Sequence, residues 1–344
     1  MHQDWHSDFR PEKIKRSIIQ FWTVHQKKAT FYRQMAVMLK AGIPVNSALN
    51  QMKQHSAIAN ISDRLLKGIL TGDTLSQAMA KEQQFFSQLE IKTMSAGEIS
   101  GNLAELMEKL AVYFESLQDV KYRLVAGMIY PAILLHAAII IPAVPLLFTK
   151  SVFAFFARII PMFILIYGAG FGIFFGYKVL SRPEMTEIRD TLAFKLPLGF
   201  GRLFKNIAVI RFLQAFNCLY SAGVSITETI KLAADASGNK IFEKEVSRAL
   251  QRVENGSGLT EAFADNVFLP PIVLDMFATG QMSGRLDETL DKAVWHLQNQ
   301  VNLAVEAILK IVPVVVYLLV ALYVASIIIS FYARYIGEIN SLLE

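Results

Sequence analysis

Few residues in this chain are placed to do chemistry together. Its histidines are His2, His6, His25, His55, His136 and His296. His2 and His6 have the four-residue spacing that can put two imidazoles on one helix face for a metal ion. Both lie in a polar terminus, and no other pair shares that spacing. Cys218 is the only cysteine, which rules out an intrachain disulfide. It stands in an apolar run at 212–219 and reads as a small buried hydrophobe in a reducing compartment, not a nucleophile. No Walker-type phosphate loop occurs. Gly168, Gly170 and Gly172 alternate in a stretch without charge, where a phosphate could not be cradled. Asn255-Gly256-Ser257-Gly258 lacks the nucleophile-elbow pattern. Glu98, Glu105 and Glu108 form one acidic cluster, and Asp287, Glu288 and Asp291 another. Carboxylates suit the first turn of a helix, so both read as solvated helix starts, with a partner or cation contact as the sharper alternative. No catalytic residue, cofactor site or metal site is expected, and the chain does not read as an enzyme.

What must hold these residues is partly a membrane. Mean hydropathy is +0.37 although 18% of residues are charged, and the apolar residues are unevenly spread. Residues 124–149, 159–177 and 311–331 contain no Asp, Glu, Lys or Arg. A span needs about 20 mainly apolar residues, and inside lipid each must be helical to satisfy its backbone. Pro131, Pro142 and Pro145 fall in the first stretch and Pro313 opens the third, positions where proline kinks a helix. Gly168, Gly172 and Gly176 repeat every four residues in the second, a spacing that favours close packing of helices. His136 lies mid-span. A proton relay would need a carboxylate in another span, and none has one. A neutral imidazole hydrogen-bonding across a helix interface is the expectation.

Orientation follows from Lys and Arg near the span ends. Lys121 and Arg123 flank the first span, and Lys178 and Arg182 follow the second. The loop between those two spans holds only Lys150 and Arg158, and the tail has Arg334 against Glu338 and Glu344. This places 1–122 and 181–306 in the cytoplasm, with the loop and tail outside. Residues 1–28 are polar and lack the apolar core of a cleaved signal peptide. The first cytoplasmic segment is net basic and the second net acidic. Neither carries the basic stripe with interleaved aromatics of a nucleic-acid binder.

The two cytoplasmic segments repeat one another. Phe31, Met35, Met38, Leu39, Ala41 and Gly42 recur 181 residues later as Phe212, Phe216, Leu219, Tyr220, Ala222 and Gly223. The spacing is that of a core-facing helix closed by a glycine cap. Gly72, Leu75 and Ala78 match Gly256, Leu259 and Ala262. Gly97-Glu98-Ile99-Ser100-Gly101 matches Gly280-Gln281-Met282-Ser283-Gly284, with glycines expected at tight turns needing positive φ. Asn102 and Glu105 resemble a capping box. Tyr130-Pro131 in the first span matches Val312-Pro313 in the third. No strand alternation appears. The expected fold is an all-α membrane protein with two homologous cytoplasmic helical bundles and three transmembrane helices. The expected boundaries are a polar segment 1–28, bundle 29–122, span 123–149, loop 150–158, span 159–180, bundle 181–306, span 307–332 and tail 333–344.

These motifs resemble the type II secretion F-domain family, the inner-membrane platform proteins of type II secretion and type IV pilus assembly. The carriers are the run from Phe31 to Val45, Gly97-Glu98-x-Ser100-Gly101-x-Leu103, Tyr130-Pro131 and Leu196-Pro197-Leu198-Gly199. The resemblance implies a scaffold that couples a hexameric assembly ATPase to polymerisation of pilin or pseudopilin subunits. It also implies contact with other inner-membrane alignment proteins and the bilayer, and assembly as a homo-oligomer. The short start, Gln281 in place of the glutamate, and no Arg-Thr pair after Phe212 favour a pilus system over secretion. A small oligomeric transporter or channel subunit is the alternative, recommended by the duplicated span entry. Structural or partner-contact roles are expected for Gly42, Gly97, Glu98, Gly101, Tyr130, Pro131, Gly223, Gly280, Gly284 and Pro313.

Overall fold

The computed structural model describes residues 11–54, 57–149, 151–180, 185–196 and 200–343. His2, His6, His55, Lys150, Arg182, Glu344 and the motif residues Pro197, Leu198 and Gly199 lie outside them. The described residues form helices and turns with no strand. In order these are α1 (Pro11–Lys40), α2 (Val45–Met52), α3 (Ala59–Leu70), α4 (Leu75–Ala80), α5 (Gln88–Ser100) and α6 (Leu103–Ile140). A 3₁₀ turn at Ile141–Ala143 and α7 (Pro145–Thr149) follow, then α8 (Val152–Leu180) and α9 (Thr186–Lys195). The series closes with α10 (Phe200–Ser221), α11 (Ile226–Ala236), α12 (Lys240–Glu254), α13 (Leu259–Phe263), α14 (Pro271–Ser283) and α15 (Leu286–Leu343). The repeat is complete at the level of elements: α1–α6 correspond one for one with α10–α15.

The chain divides into two compact units, 1–120 with 190–301, and 121–189 with 302–344. The first unit holds both bundles. Each bundle wraps short amphipathic helices around one long first helix. Phe31, Tyr32 and Met35 on α1 are fully buried, as are Phe212, Leu213 and Phe216 on α10. Tyr32 stacks on Phe114 at 5.5 Å in the first bundle, and Phe263 meets Phe277 at 5.5 Å in the second. Each such side chain contributes roughly 1.5–3 kcal/mol by leaving water. The turn after the first helix is the same in both copies. Gly42 at φ 81° and Gly223 at φ 84° reverse the chain. Ile43 N–H then donates to Met38 O, and Val224 N–H to Leu219 O, which closes the helix end.

The second unit contains the apolar helices. Val125–Phe148, Val152–Leu180 and the apolar part of α15 are each long and apolar enough to cross a membrane. Pro131, Pro161 and Pro313 all sit inside helices. Ile139, Ala143 and Ile159 form a small buried cluster against Phe163 and Ile166. Helix α8 begins at Val152, so most of the stretch expected to be a loop is helical. Helix α15 runs unbroken to Leu343 through the expected tail. Charge marks where a stretch stops suiting lipid, which is not where the backbone stops being helical. Among the described residues nothing packs against the Gly168, Gly172 and Gly176 stripe, where an added Cβ would meet nothing within 4 Å. The close approach is instead at Gly127, where a Cβ would lie 2.3 Å from Leu309 Cδ2.

Candidate functional site

The residues singled out by the sequence converge on one structural device, built once in each bundle. Glu98 is in the last turn of α5 and reaches the first turn of α4. Its carboxylate accepts from the Leu75 N–H at 2.5 Å and from the Ser76 hydroxyl at 2.5 Å, with the Ser76 N–H at 3.3 Å. The first N–H groups of a helix have no intrahelical partner, and a carboxylate there is favoured by the helix dipole. Thr74 caps the same turn through its side chain, which accepts from Gln77 N–H. In the second bundle Gln281 does the work of Glu98. Its Oε1 accepts from Thr260 N–H at 2.9 Å and from the Thr260 hydroxyl at 2.5 Å. A glutamine oxygen accepts as a carboxylate does, so the latch survives without the charge. Its other acidic neighbours stay on the surface: Asn102 donates to Glu105 at 2.8 Å, and Arg33 binds Glu115 at 2.5 Å. Glu108 takes Arg33 and Lys40.

The four motif glycines divide into two kinds, against the expectation that all four are turn residues. Gly101 and Gly284 have φ of 74° and 68° and end α5 and α14 in the left-handed conformation, which a Cβ disfavours. Gly97 and Gly280 lie within those helices and are buried. Their requirement is close approach. A Cβ on Gly97 would stand 2.8 Å from Leu106 Cδ1, and one on Gly280 would stand 2.8 Å from Leu286 Cα. So the Gly-x-x-x-Gly spacing brings the start of the last bundle helix down onto the helix before it and then turns the chain into it.

A buried charge cluster escaped the sequence reading. Glu90 is fully buried and accepts from Lys28 Nζ at 2.5 Å, Tyr32 Oη at 2.8 Å, and the Ser87 N–H and hydroxyl at 2.8 and 2.7 Å. Lys28 Nζ also lies 4.9 Å from the Phe114 ring centroid, a cation–π contact. Burial, then the Glu90 charge, hold the Tyr32 hydroxyl well above its ordinary range. The signal available was Ser87-x-x-Glu90, the spacing of a capping box. Cys218 is buried, and burial pushes its thiol up to about 12, which keeps it protonated. Burial also raises the Asp291 carboxyl, partly offset by Lys109. Asn217 donates to it at 2.5 Å.

In the second unit Tyr130 is exposed and Pro131 buried within α6. Pro313 is partly exposed within α15. His136 Nδ1 lies 2.7 Å from Ala132 O and Nε2 lies 2.7 Å from Tyr167 Oη. A carbonyl only accepts, so Nδ1 carries the proton, and in the neutral ring Nε2 accepts from the Tyr167 hydroxyl. This is a hydrogen bond between α6 and α8, as the sequence led one to expect. An apolar cleft of about 500 Å³ is lined by Leu135, Ile139, Pro161, Leu165, Leu319 and Tyr323. Among the described residues no three His, Cys, Asp or Glu side chains are grouped as a metal site. What the geometry offers is a duplicated helical scaffold in which Glu98 and Gln281 hold helix ends.

Known proteins share this organisation. The family described as type II secretion system (T2SS), protein F matches residues 31–149 and again residues 212–333. The chain is 29% identical to the type 4 fimbrial assembly protein PilC of Pseudomonas putida, over 94% of this chain and 86% of that protein. It is 29% identical to the type IV pilus assembly protein PilC of Thermus thermophilus, over 81% and 74%. It is 27% identical to the type II secretion system protein F of Pseudomonas aeruginosa, over 78% and 71%.

Proposed function

The chain belongs to the type II secretion system protein F family, and from that premise we propose that it is a non-catalytic inner-membrane platform for type IV pilus assembly. In this reading it receives a push from a cytoplasmic hexameric ATPase and passes it to pilin subunits in the bilayer. The observation that carries it is helical continuity. Helix α6 holds the last buried bundle residues, Leu106 to Phe114, and the first span in one run, Leu103–Ile140. Helix α15 does the same for the second bundle and the third span, Leu286–Leu343. A helix transmits displacement along its axis better than a flexible loop does. The tight latches at Glu98 and Gln281 keep each bundle stiff at the start of that helix.

Both bundles are assigned to the cytoplasm, on the lysine and arginine bias at the span ends. A homo-oligomer, with pilins and other alignment proteins around it, completes the platform. Pilus assembly is favoured over protein secretion by Gln281 in place of the glutamate and by the missing Arg-Thr pair after Phe212. The test is deletion and complementation in the native host. Loss of surface filaments, restored by the full chain, supports the pilus reading. Intact filaments with lost export of a secreted protein would replace it with secretion. Normal filaments and normal export would reject both.

A further inference from the structure

The two bundles pack on each other in an unsymmetrical way, and this leaves two matching faces unused. In the first unit, α5 and α6 of the first bundle dock on α10 and α11 of the second. Lys92 pairs with Glu228 at 3.0 Å, Lys109 donates to Ser221 at 2.5 Å, and Ser116 donates to Gln214 at 2.9 Å. Tyr113 Oη reaches Ala236 O at 3.4 Å. The repeat assigns a counterpart to every one of these residues, because α1 and α2 correspond to α10 and α11, and α14 and α15 to α5 and α6.

The counterparts that lie among the described residues are exposed or partly open. Cys218 is 3% exposed in the docked face, and its equivalent Val37 on α1 is 59% exposed. Gln214 and Ala215 are buried, whereas Arg33 and Gln34 are partly open. With Val37, Met38 and Gln51 they line an open groove of about 630 Å³. On the other side Tyr113 is buried, and its equivalent His296 on α15 is exposed. Val112, which lines one cavity with Cys218 and is 45% exposed, corresponds to Trp295, an indole that borders the same cavity and is still 65% exposed. One receiving face and one inserting face therefore stand open, each with the shape relationship already realised once inside the chain.

We propose that these faces bind each other between two copies of this chain: the α14–α15 face of one copy docks on the α1–α2 groove of the next. It rests on the reading that the protein acts as a homo-oligomer. The contact would set Trp295 against Val37, Asp275 opposite Ser47 and Asn299 opposite Arg33. Lys292 would approach Lys40, whose charge Glu108 offsets. An exposed tryptophan meeting Val37, Met38 and Met52 in a groove that also presents Arg33, Gln34 and Gln51 has the composition of an interface anchor with polar surroundings. The interface is heterologous, since different patches meet, so copies follow one another around a ring or along a helix.

Disulfide trapping in native membranes tests it, using full-length Cys218→Ala chains. One tagged chain carries Val37→Cys and a second, differently tagged, carries Trp295→Cys. Both positions are exposed, so neither change disturbs a core. The expected result on mild oxidation is a crosslinked dimer bearing both tags, absent when either cysteine is missing. A Val37→Cys dimer without the mixed product would mean a two-fold interface and overturn the head-to-tail arrangement. No crosslink from a protein that still sizes as an oligomer in mild detergent would overturn this interface and leave the homo-oligomer reading standing. No crosslink from a protein that sizes as a monomer would overturn both.

Discussion

The carboxylate of Glu98 sits 2.5 Å from the backbone nitrogen of Leu75, twenty-three residues earlier in the chain. The glutamate the sequence marked as a contact candidate thus caps the start of α4 from the end of α5. Gln281 and Thr260 repeat the arrangement in the second bundle. The account predicts that Glu98→Gln keeps the fold, as the second bundle already does. Glu98→Ala leaves the Leu75 and Ser76 donors without that acceptor, at a cost of about 1–3 kcal/mol. Thermal unfolding of purified protein in detergent distinguishes the two. Equal midpoints for both variants would contradict the latch.

The motif glycines should respond unequally to a methyl group. At Gly97 the added Cβ meets the end of the Leu106 side chain, which can shift. At Gly280 it meets the Leu286 Cα, which is backbone. Gly280→Ala should therefore destabilise more than Gly97→Ala, within the usual 1–3 kcal/mol range of overpacking. Gly101→Val adds a β-branched side chain to a left-handed residue and should abolish assembly by unfolding the first bundle. Membrane levels and protease resistance of the variants report the order. Stable Gly101→Val protein that still supports filaments would refute it.

The Lys28–Glu90 pair is buried on both sides, with side-chain exposures of 8% and 0%. Lys28→Met leaves the Glu90 carboxyl group in the core without its cation and should cost about 3–5 kcal/mol. Lys28→Met with Glu90→Gln should recover much of that loss, because a neutral amide is far cheaper to bury. Denaturant unfolding of the single and double variants checks the coupling. Additive losses would show that the charge pair is not the controlling interaction.

Acid should weaken the first bundle through Asp63. Hydrogen bonds from Lys53 and then Lys67 hold its carboxyl down to about 2. A folded value below the unfolded one gives stability that is present above the ordinary carboxylate range and fades as pH falls toward 2. Asp63→Asn should flatten that part of the profile by lowering the neutral value toward the acid one, and leave the acid value little changed. Thermal midpoints followed from about pH 6 to about pH 2.5 measure it across the range where carboxylates titrate. An unchanged acid slope would assign the titration to other groups.

Much of this molecule was legible because its signals are local and doubled. The apolar spacing at Phe31 and Phe212, and the glycine that follows each run, gave helices, ends and the repeat together. The uncharged stretches gave the three spanning helices. What was missed depends on contacts distant in sequence. Nothing near Glu98 announces that its acceptors' partners are at Leu75 and Ser76. Gly97 and Gly101 look alike in the sequence, yet one is needed for close approach and the other for its backbone angle. The glycines at 168, 172 and 176 have packing spacing and meet no neighbour among the described residues, while Gly127, alone in its stretch, receives Leu309. The sequence spacing says where small residues can pack, and only the fold supplies the partner.

The most direct measurement of the platform role is co-purification from native membranes in mild detergent, with partners identified by mass spectrometry. The account predicts that tagged protein brings down an assembly ATPase and pilin-like subunits. Intact protein that recovers neither would contradict it and favour the transporter reading, which solute flux in liposomes would then have to demonstrate.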